Sequence, residues 1–422
     1  MGTRATPAGA LAATHRTAPV IERGHPGTDQ EETMLTLSAI KADVGGVGGH
    51  TKPSEGMLDA AREALADARS DGLLVDCDVT HTGDDVCLLM THREGSDAEP
   101  IHELAWSVFE RATAVAREEG LYGAGQDLLV DAPSGNVRGA GPGAAEITFD
   151  ETAGERSAEP FLVFTADKCG PGAFNFPLWT VFTSPLYCAG LMLPKMRSGF
   201  RFTVIDMEHA GADRVLELDV PEEHIELATL LRDENRFGVQ AIHSREYPDQ
   251  QVVSVSTDRL HTIAGEYKGK DDPVALVRSQ NIFPAPEEIV SPYTTAHYVA
   301  GDARGSHHMP LMPVAIDTAI AGTYCLPIVA CVAYSVNREG RLSERVDLFG
   351  NVAWDETRRK AQRKAEEIRS QGFVGPAMLP VQELEYSSFR EALAGLEERF
   401  EVRGDGEKPA AGSVEGGMAT VD

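Results

Sequence analysis

The sequence predicts an α+β fold, on three observations. Two β-rich stretches, 73–80 and 86–91, are separated only by His81-Thr82-Gly83-Asp84-Asp85, which reads as an antiparallel hairpin. Helical periods fall between groups of strands rather than after each strand, which disfavours a doubly wound parallel sheet. No internal repeat is visible in the 422 residues.

In order along the chain, residues 1–33 hold Pro, Gly, Thr and Ala with no apolar period and lack the apolar core of a signal peptide. They are expected to be disordered. Structured sequence is expected from Met34, which is the true initiator if the start has been assigned too early. A strand at 35–41 leads into the glycine run 44–49. Ser54 reads as an N-cap, followed by Met57, Leu58, Ala61, Leu65 and Ala68 on one helical face, with Gly72 as the stop. After the hairpin comes a helix at 102–119, with Leu104, Val108 and Val115 inward and Gly120 ending it. Glycine-rich loops occupy 133–143, and an apolar strand at 161–166 ends at Asp167-Lys168. Strands near 201–207 and 251–257 flank a short helix near 222–232, and a strand at 274–278 follows Lys270-Asp271-Asp272. Late helices are expected near 355–371 and 387–400, the second with Phe389, Leu393, Leu396 and Phe400 on one face. Residues 34–402 thus read as one large domain, and 403–422, rich in Gly and Glu, as a disordered tail.

The formal charge of -28 argues against duplex nucleic acid or an anionic membrane as the main partner. No apolar run is long enough to span a bilayer. The six cysteines form no C-x-x-C pair and no disulfide framework, as expected of a reducing cytoplasm. Cys325 and Cys331 read as buried apolar residues. Only nine lysines occur, and each raises a question, because lysine can shed its proton and form a Schiff base whereas arginine cannot.

Acidic residues at strand ends and turns carry the strongest chemical signal. Asp43 ends the first strand, Asp84 and Asp85 sit in the hairpin, Asp167 ends another strand, and Asp271 and Asp272 precede a fifth. Mg²⁺ takes hard oxygen ligands, and carboxylates from separate strands meeting at one sheet edge would hold more than one ion, as in-line phosphoryl transfer to water requires. Any single Asp here is equally explained by turn chemistry; the set is less so. The run from Asp43 to His50 is not a P-loop, and either brings backbone close to phosphate or is a plain turn. Lys270, beside two carboxylates, is a Schiff-base candidate or a solvated turn residue, and the carboxylates alone would raise its pKa. Tyr267 stands three residues before it and could handle a proton. Lys168, Arg304 and Ser306-His307-His308 suit phosphate, although each alone is more often a surface residue.

These residues lie in longer blocks. Ile40-Lys41-Ala42-Asp43 to Gly49-His50, Thr80 to Asp85, Gly120 to Asp127, Ser134 to Gly139, Ala166-Asp167-Lys168, Gly269 to Pro273, Arg304 to His307 and Glu385-Tyr386 resemble, in order, blocks of the archaeal-type fructose-1,6-bisphosphate aldolase/phosphatase family over roughly 34–400. The resemblance implies a layered α-β-β-α sandwich assembled as a homo-octamer. It implies a cytoplasmic gluconeogenic enzyme that condenses dihydroxyacetone phosphate with glyceraldehyde 3-phosphate through a lysine Schiff base, then removes the 1-phosphate of the product with Mg²⁺. By position, Asp43, His50, Asp84, Asp85, Gln126, Asp167, Asp271 and Asp272 would form the metal sphere, Lys270 the Schiff base, and Tyr267 the proton donor and acceptor. His50, Tyr122, Gly135, Asn136, Lys168, Gln280, Arg304 and Tyr386 would contact the sugar phosphate. Two segments depart from the family: Tyr324-Cys325-Leu326-Pro327 where Asp-Gly-Pro-Pro is usual, and Cys169-Gly170-Pro171 where Thr-Glu-Pro is usual. They leave open a Mg²⁺-dependent phosphatase for another sugar or polyol phosphate without the aldolase step. A non-catalytic sugar-phosphate-binding paralogue is a further alternative, disfavoured because clustered carboxylates are costly without a cation.

Overall fold

The computed structural model describes residues 34–128, 141–150, 156–209, 212–257, 269–301, 307–320, 326–370, 393–397 and 399–400. Strand β1 (Met34–Asp43) sends alternate side chains into two cores: Leu35, Leu37 and Ala39 to one, Ile40 and Ala42 to the other. Helix α1 (Glu55–Ser70) begins at Ser54, whose Oγ accepts the Met57 N–H at 3.2 Å. Then come β2 (Asp76–Thr82), β3 (Asp85–His92), α2 (Glu99–Glu118) and β4 (Gly143–Asp150). The strands form an antiparallel sheet in the order β2-β3-β1-β4. Met57, Ala61 and Leu65 of α1, with Ile101, Ala105, Val108 and Phe109 of α2, cover the face that carries Ile40, Leu88 and Met90. Leu104 and Val115 sit at the margin of that face rather than its centre.

The second sheet begins with β5 (Ala158–Asp167). It continues, past α3 (Asn175–Thr183), with β6 (Phe200–Asp206), β7 (Val215–Val220), α4 (His224–Leu231), β8 (Phe237–Ser244), β9 (Gln251–Val255) and β10 (Val274–Arg278). After α5 (Pro286–Val290), β11 (Tyr298–Ala300) and β12 (His308–Pro310) make a separate ribbon. The chain then adds β13 (Met312–Pro313), β14 (Ile328–Asn337) and β15 (Val346–Asp347), and α6 (Asp355–Arg369) follows. Among the described residues this sheet has the order β13-β14-β5-β10-β9-β8-β6-β7, with β15 beside β14. Phe161, Val163, Leu276 and Val332 point inward and meet Leu37, Leu89 and Ile147 of the first sheet. Leu162, Phe164, Val277 and Cys331 point outward, toward Leu178 and Val181 of α3 and Leu227 of α4. The layers therefore run helix, sheet, sheet, helix, as the α-β-β-α expectation requires.

Two elements differ in extent from the sequence reading. The hairpin turn is only Gly83-Asp84, since Thr82 pairs with Asp85, and β2 starts at Asp76 because Leu73 and Leu74 close the turn after α1. Gly83 has φ +57°, as the first central residue of a two-residue hairpin favours. The glycine-rich stretch 133–143 gives way at Gly143 to β4, an element the reading lacked. In the expected last helix, only 393–397 is described as helical, and Leu393, Leu396 and Phe400 are exposed. The segments 1–33 and 403–422 lie outside the described residues.

Candidate active site

Antiparallel register gathers the acids at one end of the sandwich. Asp43, last in β1, stands opposite Asp85, first in β3. Asp167, last in β5, lies beside the residues just ahead of β10, because Val274 pairs with Thr165. The Oγ1 atoms of Thr82 and Thr165, 2.6 Å apart and buried, join the two sheets at this end. Asp84, Asp85 and Asp167 are almost fully buried, and in each of the groups Asp43-His50-Asp84 and Asp84-Asp85-Asp167 the ligand atoms lie within 4.8 Å of one another.

Three lysines enter this acidic end. Lys168, at φ +63°, donates to Asp84 Oδ1 at 2.5 Å and Asp167 Oδ1 at 2.7 Å. Lys270 donates to Asp127 Oδ2 and Asp271 Oδ1, both at 3.0 Å. Lys41, buried under the cluster, pairs with Asp85. Burial would lower the pKa of Lys168 and of Lys270, but Asp167 and Asp84 for the first, and Asp127 and Asp271 for the second, hold each ammonium well above the ordinary lysine value. The sequence-based expectation that adjacent carboxylates raise the Lys270 pKa agrees with this. Burial pushes Asp43 up to about 6, and Asp127 and Asp167 up to about 7. Burial also raises Asp272 well above its ordinary value. Asp84 goes the other way: burial opposes it, but Lys168 and His50 hold it below the ordinary carboxylate range. Asp43 and Asp84 drive His50 up to about 10; at 3.1 Å the Asp84 contact is the hydrogen bond, and at 3.8 Å Asp43 adds only charge.

Two buried acceptors, Asp167 Oδ2 and Gln126 Oε1, meet no hydrogen-bond donor among the described residues. Among the described residues, the carboxylates of Asp43, Asp84, Asp85, Asp127, Asp167, Asp271 and Asp272 are met by three lysines, the His50 ring and a few backbone N–H groups. Excess buried carboxylate with orphaned oxygens is the chemistry of a hard divalent cation site, so the donor set fits a metal.

Gly83 makes room for this arrangement: a Cβ there would lie 1.4 Å from Asp167 Oδ2. Gly83→Ala is therefore expected to displace the Asp167 carboxylate and weaken Mg²⁺ binding about ten- to a hundred-fold, read by calorimetric titration. Unchanged affinity would remove Asp167 from the cation site.

Of the residues picked from sequence, Asp43, His50, Asp84, Asp85, Asp167, Lys168, Lys270, Asp271 and Asp272 come together here. Gln126 opens the short turn Gln126–Leu128 beside them. Tyr122 packs edge-on against His50, with ring centroids 4.9 Å apart. Gln280 is not brought to the cluster within the chain. It is exposed beyond the far end of β10, eight residues past Asp272, about 25 Å along an extended strand. His308 also departs, facing Glu234 at 4.0 Å on the surface, and His307 is buried. Gly135, Asn136, Tyr267, Arg304, Ser306, Tyr386 and residues 324–325 lie outside the described residues.

The sequence reading missed Asp127 and Lys41 as members of the site. Asp127 accepts the Asp43 N–H at 2.8 Å as well as the Lys270 ammonium. Lys41 gave a usable signal: a charged residue inside the apolar strand 35–42 must have a buried partner.

A family model described as fructose-1,6-bisphosphatase matches residues 34–401. A protein of Thermus thermophilus named fructose-1,6-bisphosphate aldolase/phosphatase is 52% identical over 367 residues, covering 87% of this chain and 99% of its own. The chain belongs to the fructose-1,6-bisphosphate aldolase/phosphatase family. Proteins of the same name from Cenarchaeum symbiosum and Methanocaldococcus jannaschii are 48% and 44% identical, covering 84% and 88% of this chain and 91% and 93% of their own. Among the described residues no helix is long and apolar enough to cross a membrane.

Proposed function

We propose that this chain is a bifunctional gluconeogenic enzyme that condenses dihydroxyacetone phosphate and glyceraldehyde 3-phosphate to fructose 1,6-bisphosphate and hydrolyses that product to fructose 6-phosphate and phosphate. The observation that carries the reading is a buried lysine, Lys270, beside a carboxylate cluster fit for a divalent cation. In the condensation, the Lys270 amine attacks the ketone of dihydroxyacetone phosphate and water leaves, forming the Schiff base; Tyr267 moves the proton between carbon and solvent. Asp127 and Asp271 hold Lys270 Nζ in place before the attack. In the hydrolysis, Lys168 and His50 offer donors to phosphate oxygens, and Tyr122, packed on His50, walls the same side. Asp43, His50, Asp84, Asp85, Gln126, Asp167, Asp271 and Asp272 would hold Mg²⁺ ions, which when bound supply charge neutralisation for the transferring phosphoryl group and let Lys270 deprotonate among carboxylates. Gly135, Asn136, Arg304 and Tyr386 complete the sugar-phosphate contacts. Gln280, remote in its own chain, can join them only from another copy. The enzyme is cytoplasmic and homo-oligomeric, an octamer on the family resemblance, with 34–402 as its catalytic domain.

The test is phosphate release from fructose 1,6-bisphosphate by the purified protein across pH 5–8, with Mg²⁺ or a chelator. Release is expected only with Mg²⁺. Asp43, Asp127 and Asp167 have folded pKa values of about 6, 7 and 7 against 3.8 ordinarily. Their contribution to stability is therefore full below pH 3.8 and lost as pH rises through 6–7. Asp84 acts in the opposite sense, but only below its ordinary value. In chelator the melting temperature should fall from pH 5 to 8, and the Mg²⁺-induced rise should grow over the same window as protons leave the site. A folded, Mg²⁺-binding protein that releases no phosphate would transfer the reading to a phosphatase for another sugar or polyol phosphate, altered through Tyr324-Cys325-Leu326-Pro327. No Mg²⁺ response at all would overturn the metal-dependent reading.

A further inference from the structure

A cavity of about 390 Å³ lies where β4 at the edge of the first sheet meets β8 and β9 of the second. Its walls carry the carboxylates of Asp97, Glu146 and Asp213 and the imidazoles of His102 and His243, with no lysine or arginine among its lining residues. Thr257, 1% exposed, also lines it, and its hydroxyl has no hydrogen-bond partner among the described residues. The ligand atoms of Asp97, His102 and Glu146 lie within 4.8 Å of one another.

We propose that this cavity holds a second cation site, for a divalent transition-metal ion such as Zn²⁺, with Asp97, His102 and Glu146 as its protein ligands. One imidazole and two carboxylates are ligand types that such an ion takes. Two of the three ligands are already at the right separation. His102 Nε2 lies 3.2 Å from Glu146 Oε2, and two donors bound tetrahedrally at 2.0–2.1 Å stand about 3.3 Å apart. Groups behind the site orient the ligands. Ser38 Oγ donates to Glu146 Oε1 at 2.5 Å, and His92 Nε2 lies 2.8 Å behind Ser38 Oγ. The Asp97 N–H donates to Glu146 Oε2 at 2.7 Å. Fixing a ligating carboxylate by such contacts is the usual outer layer of a metal site. Burial would raise the Glu146 pKa, but hydrogen bonds from His102 and Ser38 outweigh burial and lower it; with His102 turned to a metal, the Ser38 and Asp97 donors stay on the carboxylate. Asp97, in an exposed turn at φ 57°, supplies the third ligand from the solvent side. The Thr257 hydroxyl lines the same cavity and offers a partner for an ion-bound water.

The full-length protein in saturating Mg²⁺, dialysed against Zn²⁺ and assayed for bound metal, tests the site. The wild type is expected to retain one more Zn²⁺ per chain than His102→Gln, and Asp97→Ala should weaken that uptake about ten-fold or more. Zn²⁺ at the catalytic carboxylates is common to all three proteins and cancels in the comparison. Co²⁺ should give visible absorption bands that His102→Gln loses. Phosphate release should persist in both variants. If His102→Gln folds poorly, Asp97→Ala in its exposed turn decides. Equal Zn²⁺ uptake by the wild type and both variants would overturn the proposal and leave a purely hydrogen-bonded network of Ser38, His92, His102 and Glu146.

Discussion

Lys270→Arg is expected to abolish borohydride trapping of dihydroxyacetone phosphate and to cut triose-phosphate condensation about 10⁴-fold, while phosphate release from fructose 1,6-bisphosphate stays within about ten-fold of normal. The substitution keeps the positive charge that Asp127 and Asp271 face, so the buried charge balance is preserved. It removes only the capacity to become a neutral amine, which a guanidinium lacks. The division rests on geometry. Lys270 contacts Asp127 and, of the proposed Mg²⁺ ligands, Asp271, whereas the two close ligand groups at this end are built from Asp43, His50, Asp84, Asp85 and Asp167, none of them hydrogen-bonded to Lys270. Space is the complication, because Lys270 Cγ would lie 2.7 Å from a Cβ at Gly143 and arginine is bulkier. Lys270→Gln, which is smaller, should show the same loss of trapping, and melting curves of both variants would expose a packing defect. Equal loss of both activities in two well-folded variants would sink the division of labour.

The parts of this fold legible in the sequence were those with an address in local pattern. α1 was readable because Ser54 caps it and its apolar face repeats at helical spacing. β10 was readable because a short apolar run follows a charged turn. α3 escaped: Asn175, Pro177, Leu178, Thr180, Val181 and Phe182 are all buried, so the helix has no polar face to give it a period. β14 escaped for a related reason. Lying between β5 and the edge strands, it is apolar on both faces from Ile328 to Val332, which periodicity alone does not assign. The site was legible where its residues lie at strand ends, since antiparallel register then gathers them. Asp127 and Lys41 were obscure because their roles depend on contacts across 143 and 44 residues of chain. Gln280 shows the reverse limit. Its role was implied only by the family resemblance, which says nothing of which end of β10 it occupies, and the strand carries it away from the cluster.

Asp84→Asn is expected to lower phosphate release about 10³-fold and to weaken Mg²⁺ binding in parallel, while Lys270 remains trappable by borohydride. Among the described residues, Asp84 alone belongs to both of the candidate cation groups at this end of the sandwich, so one substitution reaches each of them. It is fully buried, and both its oxygens are used: Oδ1 accepts from Lys168 at 2.5 Å and Oδ2 from His50 at 3.1 Å. An asparagine amide must turn its NH₂ toward one of these two donors, setting donor against donor in a buried site. Lys168 then keeps Asp167 as its only close carboxylate and is drawn toward it, away from where a phosphate would be met. Loss of one negative charge also removes one of the two carboxylates that, with Asp43 the larger, raise the His50 pKa, so the imidazole should titrate nearer its ordinary value, a shift that proton NMR of the His50 ring would read. A near-normal rate of phosphate release would remove Asp84 from the metal sphere. Loss of trapping together with release would mean that the acidic end acts as one undivided unit, with Asp43, whose N–H rests on Asp127, as the link between its halves.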